Sequence, residues 1–317
     1  MRISVVTPTF QRPREIIELL QNLCNQFLLP GEVIIVDGAP GEETATEQAV
    51  NQIAHSLPFP CKYLRSEKGT AVQRNAGINI VSGDLISLID DDVRLEPDFF
   101  ERIAEVFLRD ARGEVGGIVG YRANRHFKPS EVKRWRWYRR LSLFTVYKPG
   151  RYDFHTGYPI NANLQSPFSG TREIDFMTTA CAVWRRRVFD SGLRFDLFFR
   201  DYGVLEDAHF SLKAGRQWKL LQCGDAHCIE LHSPSGRVDS KKIGYKCVVN
   251  YYYVFKDIAG PLSRRQKYRF WRFQAFDFVR VAVSAIRHWR KSDWMELEGR
   301  LQGFGAVVRG ADIVLRD

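Results

Sequence analysis

The sequence predicts an α/β fold: a mostly parallel sheet flanked by helices, with a helical C-terminal extension. Three observations predict it. Short apolar runs alternate with segments of helical period up to about residue 120. The conspicuous polar residues, Thr7-Pro8-Thr9, Asp37 and Asp90-Asp91-Asp92, each follow one of those runs, where ligands sit on parallel sheets. Beyond residue 240 the strand signal stops and the chain turns helical and increasingly basic.

Taken in order, residues 3–7 read as a strand and 12–26 as a helix with Ile16, Leu19, Leu20 and Leu23 on one face. "EVIIVD" at 32–37 is a second strand, wholly apolar between its acidic ends, and 42–54 a second helix. A short strand at 62–65, a helix over 70–81, a strand at 84–89, a helix over 96–108 and a strand at 115–121 continue the alternation. Residues 122–172 break it. "KRWRWYRR" at 133–140 is basic and aromatic, and "HTGYPINANLQSPFSG" at 155–170 is turn-rich, so the segment reads as an excursion over the active face. Patterning returns at 172–189, followed by a helix from about 206 to 215 and strands near 218–222 and 226–231.

The length of 317 residues suits one large α/β domain with an appendage, or two modest domains. An apolar content of 44% excludes wholesale disorder, and a net charge of +10 turns attention to phosphates, nucleic acid or an anionic membrane. The six cysteines are scattered, with no C-x-x-C pair and no secretory signal ahead of them, which favours reduced thiols. Cys223, His227, Cys228 and His232 cluster, but their spacing matches no standard structural zinc pattern. No run reaches the ~18 apolar residues of a spanning helix, so a soluble or surface-bound intracellular protein is expected.

The acidic triplet carries the first chemistry. In an extended segment Asp90 and Asp92 share a face while Asp91 points away. Paired carboxylates suit a hard divalent cation, Mg²⁺ or Mn²⁺, shared with a diphosphate. The EF-hand loop is excluded because no glycine holds its sixth position. A solvated acidic turn capping the helix at Glu96 is the plainer alternative. Glu206 and Asp207 open a helix, where the dipole favours ionised carboxylates; ordinary capping explains them equally well. From Arg264 to Lys291, Lys and Arg interleave with aromatic residues around a single acid, Asp277. Such a segment suits an anionic membrane surface, RNA, or a helix packing its apolar face at home.

Four stretches resemble the family 2 glycosyltransferases, which have the GT-A nucleotide-sugar-binding fold. They are "ISVVTPTFQRP", "VIIVDGAPGEET", "GTAVQRNAGINIVSGDLISLIDDDVRLEPDFF" and "VWRRRVFDSGLRFDLFFRDYGVLEDAHFSLKAGRQWKLL", in the family's order and spanning roughly residues 2–235. The resemblance implies a GT-A catalytic domain over 1–238, with a nucleotide-binding half to about 121 and an acceptor half from about 122, and a basic extension over 239–317. It implies an inverting, metal-dependent transfer of a sugar from a nucleotide diphosphate sugar to a glycan, lipid-linked or small hydroxyl acceptor, in glycan or surface polysaccharide assembly.

Carried over, Thr7, Pro8, Thr9 and Arg12 line the nucleotide pocket and Asp37 meets the base, although Gly38 replaces the family's second acid. Lys68, Arg74, Asn75, Asp90 and Asp91 belong to the nucleotide-sugar side. Asp92 and Asp90 ligate Mg²⁺ or Mn²⁺, joined by His232, while Arg237 in the same loop meets a phosphate. The resemblance assigns the general base to Asp207, with Glu206 beside it and Asp201 in reserve, and makes "FMTTACAVW" the acceptor-contacting strand, with Thr178 and Thr179 where the family has small residues. It also implies a cytoplasmic enzyme whose basic tail touches the anionic inner face of the plasma membrane, with nucleic acid not expected as a partner. Two other classes stay open at this point: a nucleotidyltransferase acting on sugar phosphates, and a non-catalytic RNA- or membrane-binding protein.

Overall fold

The computed structural model describes residues 1–124, 129–199, 203–231 and 239–310. In chain order its elements begin β1 (Ile3–Thr9), α1 (Pro13–Cys24), β2 (Glu32–Asp37), α2 (Ala45–Ala54), β3 (Cys61–Arg65) and α3 (Thr70–Ile78). They continue β4 (Leu85–Ile89), β5 (Val93–Leu95), α4 (Phe99–Arg109), β6 (Val115–Arg122), α5 (Pro129–Arg140), β7 (Tyr152–Asp153), β8 (Tyr158–Pro159) and β9 (Thr171–Ile174). Last come β10 (Cys181–Arg185), α6 (Arg186–Asp190), α7 (Glu206–Ala214), β11 (Lys219–Glu230), α8 (Ser240–Ala259), α9 (Arg264–His288) and α10 (Lys291–Val308). Two compact units result, one of Met1–His126 with Ala162–Gly236 and one of Phe127–Asn161 with Arg237–Asp317.

The first unit is built on a nine-stranded sheet ordered β3-β2-β1-β4-β10-β6-β11-β5, with β9 also paired to β11. Every residue of β1, β2 and β4 is buried, as apolar strands covered on both faces require. The expected parallel run is present: β1 pairs in parallel with β2 and β4, and β2 with β3. Beyond β4 the sheet turns mixed, because β10 runs antiparallel to both β4 and β6. Parallel register brings the carboxyl ends of β1, β2 and β4 to one edge, with Thr9 opposite Asp37.

Three differences from the sequence reading have physical causes. Strand β5 follows the acidic triplet and is only three residues long, too short for a periodic signal; it is held against β11. The two strands read near 218–222 and 226–231 are one strand, β11. Its register slips between Gln222 and His227, so Gly224-Asp225, in the gap between the two expected strands, is absorbed as an irregularity within the strand. Gly224 lies so close to the Phe168 carbonyl that a Cβ would sit 2.0 Å from that oxygen. The segment read as an excursion contains α5 and the β7–β8 pair; from Ala162 on it belongs to the first unit, whereas its part up to Asn161 groups with the C-terminal helices. Aromatic rings hold it there: Tyr138 lies 5.9 Å from Phe273, and Tyr158 lies 4.4 Å from Phe273 and 5.4 Å from Tyr251.

Within the second unit α8 and α10 touch backbone to backbone. A Cβ on Gly244 would sit 2.1 Å from the Glu296 carbonyl oxygen, and one on Gly299 1.9 Å from that of Lys241. Asp277, the lone acid of the basic segment, is paired with Arg280 at 2.6 Å and Arg300 at 2.8 Å. Among the described residues no helix is long and apolar enough to cross a membrane.

In the first unit α3 is pressed equally hard onto the sheet, since a Cβ on Gly77 would meet Val6 Cγ1 at 2.4 Å and Val36 Cγ2 at 3.1 Å. Gly77→Ala should therefore cost about 1–3 kcal/mol through overpacking. Urea unfolding that leaves the midpoint unchanged would show that the helix can lift without loss.

Candidate functional site

Helix α3 organises the edge where the strands end. It starts at Gly69, whose φ of 140° is open to glycine and hardly any other residue, and its middle carries Gln73, Arg74 and Asn75 in succession. Steps of about 100° send these three side chains in different directions. The Gln73 amide donates to the Thr9 carbonyl at 2.6 Å and to that of Val36 at 2.8 Å, tying the ends of β1 and β2 together. The Arg74 guanidinium donates to Asp90 at 2.8 Å through one nitrogen and to Glu206 through another. Asn75 clasps the backbone of Phe195, donating to its carbonyl at 2.8 Å and accepting its N–H at 2.9 Å.

The acidic triplet is a turn. The Val93 N–H donates to the Asp90 carbonyl at 3.1 Å, and Arg94 pins the loop by donating to the carbonyls of Asp91 and Val93. Within this turn Asp90 meets Arg74, whereas Asp91 is directed inward. Its buried carboxylate accepts from Thr9 Oγ1 at 2.8 Å and Arg12 at 2.6 Å. Burial pushes Asp91 up to about 6, with the adjacent Arg12 opposing the rise. The Asp90 side chain, by contrast, remains 35% exposed.

Glu206 is 5% exposed and closed in by Arg74 and by Thr70, whose hydroxyl donates at 2.5 Å. Gly203 lies against the same carboxylate: a Cβ there would sit 1.5 Å from Glu206 Oε2. The backbone enters α7 through Leu205 in the left-handed region at φ 70°. Further along, Ser211 anchors α7 by accepting the Met177 N–H at 3.1 Å, beside the "FMTTACAVW" segment. The next acid, Asp207, accepts the Ala208 N–H at 2.7 Å. Burial and the neighbouring Glu206 charge lift Asp207 to about 6, against the opposing pull of that N–H, Arg74 and Arg122. A helix start alone would have kept this acid in the ordinary carboxylate range; burial outweighs the dipole, yet Asp207 is still mostly ionised at neutral pH.

The other expected site residues fall as follows. Thr7, Pro8 and Thr9 are buried within β1, and no partner for the Thr7 hydroxyl is found among the described residues. Asp37 is fully buried and accepts from the Ala39 N–H at 2.9 Å and the Tyr63 hydroxyl at 3.0 Å. Gly38, in place of a second acid, leaves no room for one: a Cβ would lie 2.9 Å from Lys68 Cα. Lys68 is exposed, its ammonium 4.1 Å from the Phe10 ring centroid. Arg74 is buried, not a helix-surface residue. Thr178 and Thr179 sit just before β10, whose preceding residue Ala180 accepts the Asp90 N–H at 3.3 Å. His232, Arg237 and Asp201 lie outside the described residues. Thr70, Gln73 and Gly203 are the contributors that sequence reasoning missed; Gly203, one glycine before an acid pair, was the only signal on offer.

Among the described residues no three His, Cys, Asp or Glu side chains converge as a metal site, which removes a zinc cluster of Cys223, His227 and Cys228. Alternation along β11 leaves His227 exposed and Cys228 buried. Two acids after the end of β4, Asp90 at 35% exposure and the partly exposed Asp92 two residues on, are the carboxylates whose chemistry suits a hard cation.

Compared with known proteins, residues 4–193, more than half of the chain, match the family model described as Glycosyl transferase family 2. The uncharacterized glycosyltransferase YwdF of Bacillus subtilis is 28% identical over 250 residues, 78% of this chain and 80% of that one. The dolichol-phosphate mannosyltransferase of Pyrococcus furiosus is 25% identical over 173 residues, 54% of this chain and 45% of its own length. Among solved structures, the mannosyltransferase PcManGT from Pyrobaculum calidifontis, in complex with GDP-Man and Mn2+, matches at a TM-score of 0.55. That match has 16% identity and covers 98% of this chain and 75% of that one; it is a likeness of fold.

The buried ion pair makes a stability prediction. Arg74→Ala leaves Glu206 charged and buried with only the Thr70 hydroxyl and no cation, and should cost roughly 3–5 kcal/mol at neutral pH. In that variant the folded state binds a proton on Glu206 more tightly than the unfolded chain, so stability should partly return as pH falls. Urea midpoints of the variant that fall in step with the parent's between pH 7 and 5 would contradict this.

Proposed function

The chain belongs to glycosyl transferase family 2 and has the family's GT-A fold, and from that premise we propose an inverting, metal-dependent transfer of a sugar from a nucleotide diphosphate sugar to a hydroxyl acceptor. The observation that carries the reading is the Arg74 guanidinium, which joins Asp90 at the end of β4 to Glu206 at the start of α7. It ties the donor-side acid Asp90 to the residue directly before Asp207, which supports reading the two sides as one site. Asp207 lies beyond the matched residues 4–193, so its role rests on this geometry and on the sequence resemblance.

On the donor side, Asp90 and Asp92 would hold Mg²⁺ or Mn²⁺. The bound cation would supply Lewis-acid stabilisation of the charge gathering on the departing nucleoside diphosphate. Asp90 keeps its carboxylate aimed by its bond to Arg74, and Asp91 holds the β1 end in place through Thr9 and Arg12. On the acceptor side Asp207 accepts the proton of the attacking hydroxyl, which adds to the anomeric carbon as the bond to the diphosphate oxygen breaks on the opposite face. A single displacement inverts the anomeric centre. A carboxylate lifted to about 6 is a stronger base than an ordinary one and is still charged at neutral pH. Glu206, closed in by Arg74 and Thr70, is a positioning residue that fixes the first turn of α7.

Family membership sets aside the nucleotidyltransferase and non-catalytic readings that composition left open. Assembly of a glycan or surface polysaccharide is the proposed role. A lipid-linked acceptor is consistent with the Pyrococcus furiosus relative, which is named for dolichol phosphate.

Calorimetric titration of UDP, GDP, dTDP and CMP, with Mn²⁺ and again with EDTA, tests the donor site. One nucleotide should bind with metal present and fail both with EDTA and in Asp92→Ala. Equal binding under all three conditions would remove the metal from the proposal. With that nucleotide's sugar, kcat/KM should fall tenfold per pH unit below about 6, where Asp207 takes up a proton and can no longer accept one. Asp207→Asn should lower kcat by roughly 10²–10⁴ and abolish this acid limb. A limb that persists in the variant would place the base elsewhere.

A further inference from the structure

Helix α9 is apolar on two opposite faces. One face is core: Phe270, Phe273, Val281 and Ala285 are buried. The other faces outward, where Val279 is 58%, Val283 57% and Ile286 64% exposed, at the i, i+4, i+7 spacing of a single stripe. This stripe opens onto a groove of ≈ 390 Å³ between α9 and α10, lined by Trp271, Ala275, Phe278, Val279, Phe304 and Val308. From Trp271 to Ile286 the surface runs for about 23 Å at 1.5 Å per residue. At the turn between the helices Trp289 is 77% exposed and stacks edge-on against the partly exposed Trp294, with centroids 5.7 Å apart. Solitary exposed apolar residues need no explanation, but a continuous strip of this length does.

Charge decides what covers it. Arg287, Arg290 and Lys291 stand at one end of the strip and Arg309, next to Val308, at the other; none has a carboxylate partner among the described residues. Of the acids nearby, Asp277 and Glu296 pair with Arg300 and Glu298 with Lys241; Asp293 accepts from the Ser284 hydroxyl, which does not cancel its charge, but the three cations at that end still outnumber it. A second copy laid on the strip about a two-fold axis would set cation against cation at both ends. An anionic bilayer meets the same pattern without conflict, with aliphatic side chains below the headgroups, indole rings at their level and cations on the phosphates.

We propose that the outward face of α9, with the α9–α10 groove, is a peripheral docking surface for an anionic lipid bilayer. The contact is interfacial, since no described helix is long and apolar enough to span. It narrows the basic-tail expectation to one face of one helix, and it stands independently of the transferase reading because the test needs neither donor nor acceptor.

The test is co-sedimentation of the full chain with vesicles of phosphatidylcholine alone or with about 30% phosphatidylglycerol, a typical anionic fraction for such assays. Binding should require the anionic lipid and weaken as salt rises from about 0.05 to 0.5 M. The pair Val283→Asp/Ile286→Asp should lower partitioning at least about tenfold, and Arg290→Glu/Lys291→Glu should also weaken it. All four positions are exposed, so thermal midpoints should match the parent's, and the parallel charge variant keeps the test readable if one pair misfolds. Undiminished binding of the Val283/Ile286 variant to anionic vesicles would overturn the proposal. So would a parent chain that ignores lipid but forms a dimer which the same variant splits, since the strip would then be a contact between copies.

Discussion

The site depends on one buried cation. Removing a guanidinium from water is costly, and Arg74 is held inside because Asp90 and Glu206 both bind it while Thr70 takes up a further Glu206 oxygen. The arrangement leaves no slack. Gly203 has no side chain because the Glu206 carboxylate occupies that space. Gly69 gives α3 its starting conformation, from which Thr70 and Arg74, four residues apart and one turn on, reach the same acid. Positioning of Asp207 is thus a consequence of charge neutralisation one residue earlier.

The same economy explains why three adjacent acids are tolerated. If the triplet were extended, Asp90 and Asp92 would share one face and repel. Folded as a turn, it distributes its carboxylates among different surroundings. Asp90 goes to Arg74 and Asp91 goes inward to Thr9 and Arg12. Repulsion between neighbours is offset by two separate arginines, Arg74 within α3 and Arg12 just ahead of α1, before any cation is considered. The exposed part of Asp90, with the partly exposed Asp92 two residues on, is then the portion of the triplet that faces solvent.

What could be read from the sequence was whatever is local. Strands of fully buried apolar residues and helices with a periodic face announced themselves, and 32–37 agrees with β2 to the residue. The acids at strand ends were likewise legible, because parallel sheets place ligands there. What could not be read were pairings across long separations: Arg74 and Glu206 are 132 residues apart, and Asn75 and Phe195 are 120 apart. No periodicity marks Arg74 as buried or Asn75 as a clasp on a distant backbone. Glycine misled in both directions. Gly224 falls in the gap left between two expected strands and lies inside one, whereas Gly244 and Gly299 gave no sign that two helices touch through them.

The basic tail shows why composition and surface must be argued separately. Counted along the chain, the segment from Arg264 to Lys291 is cationic with one acid. In three dimensions that acid, Asp277, is largely buried and pairs with Arg280 of its own helix and with Arg300 of α10, so part of the apparent positive charge is met within the unit. The aromatic residues divide likewise: Phe273 packs with α5 and β8 and Phe270 with α8, whereas Trp289 projects into solvent. What remains outside is less basic than the sequence suggests but more ordered, with aliphatic residues in the middle and cations at both ends. Salt dependence and apolar burial would then both contribute to any contact this face makes, and neither alone would be sufficient.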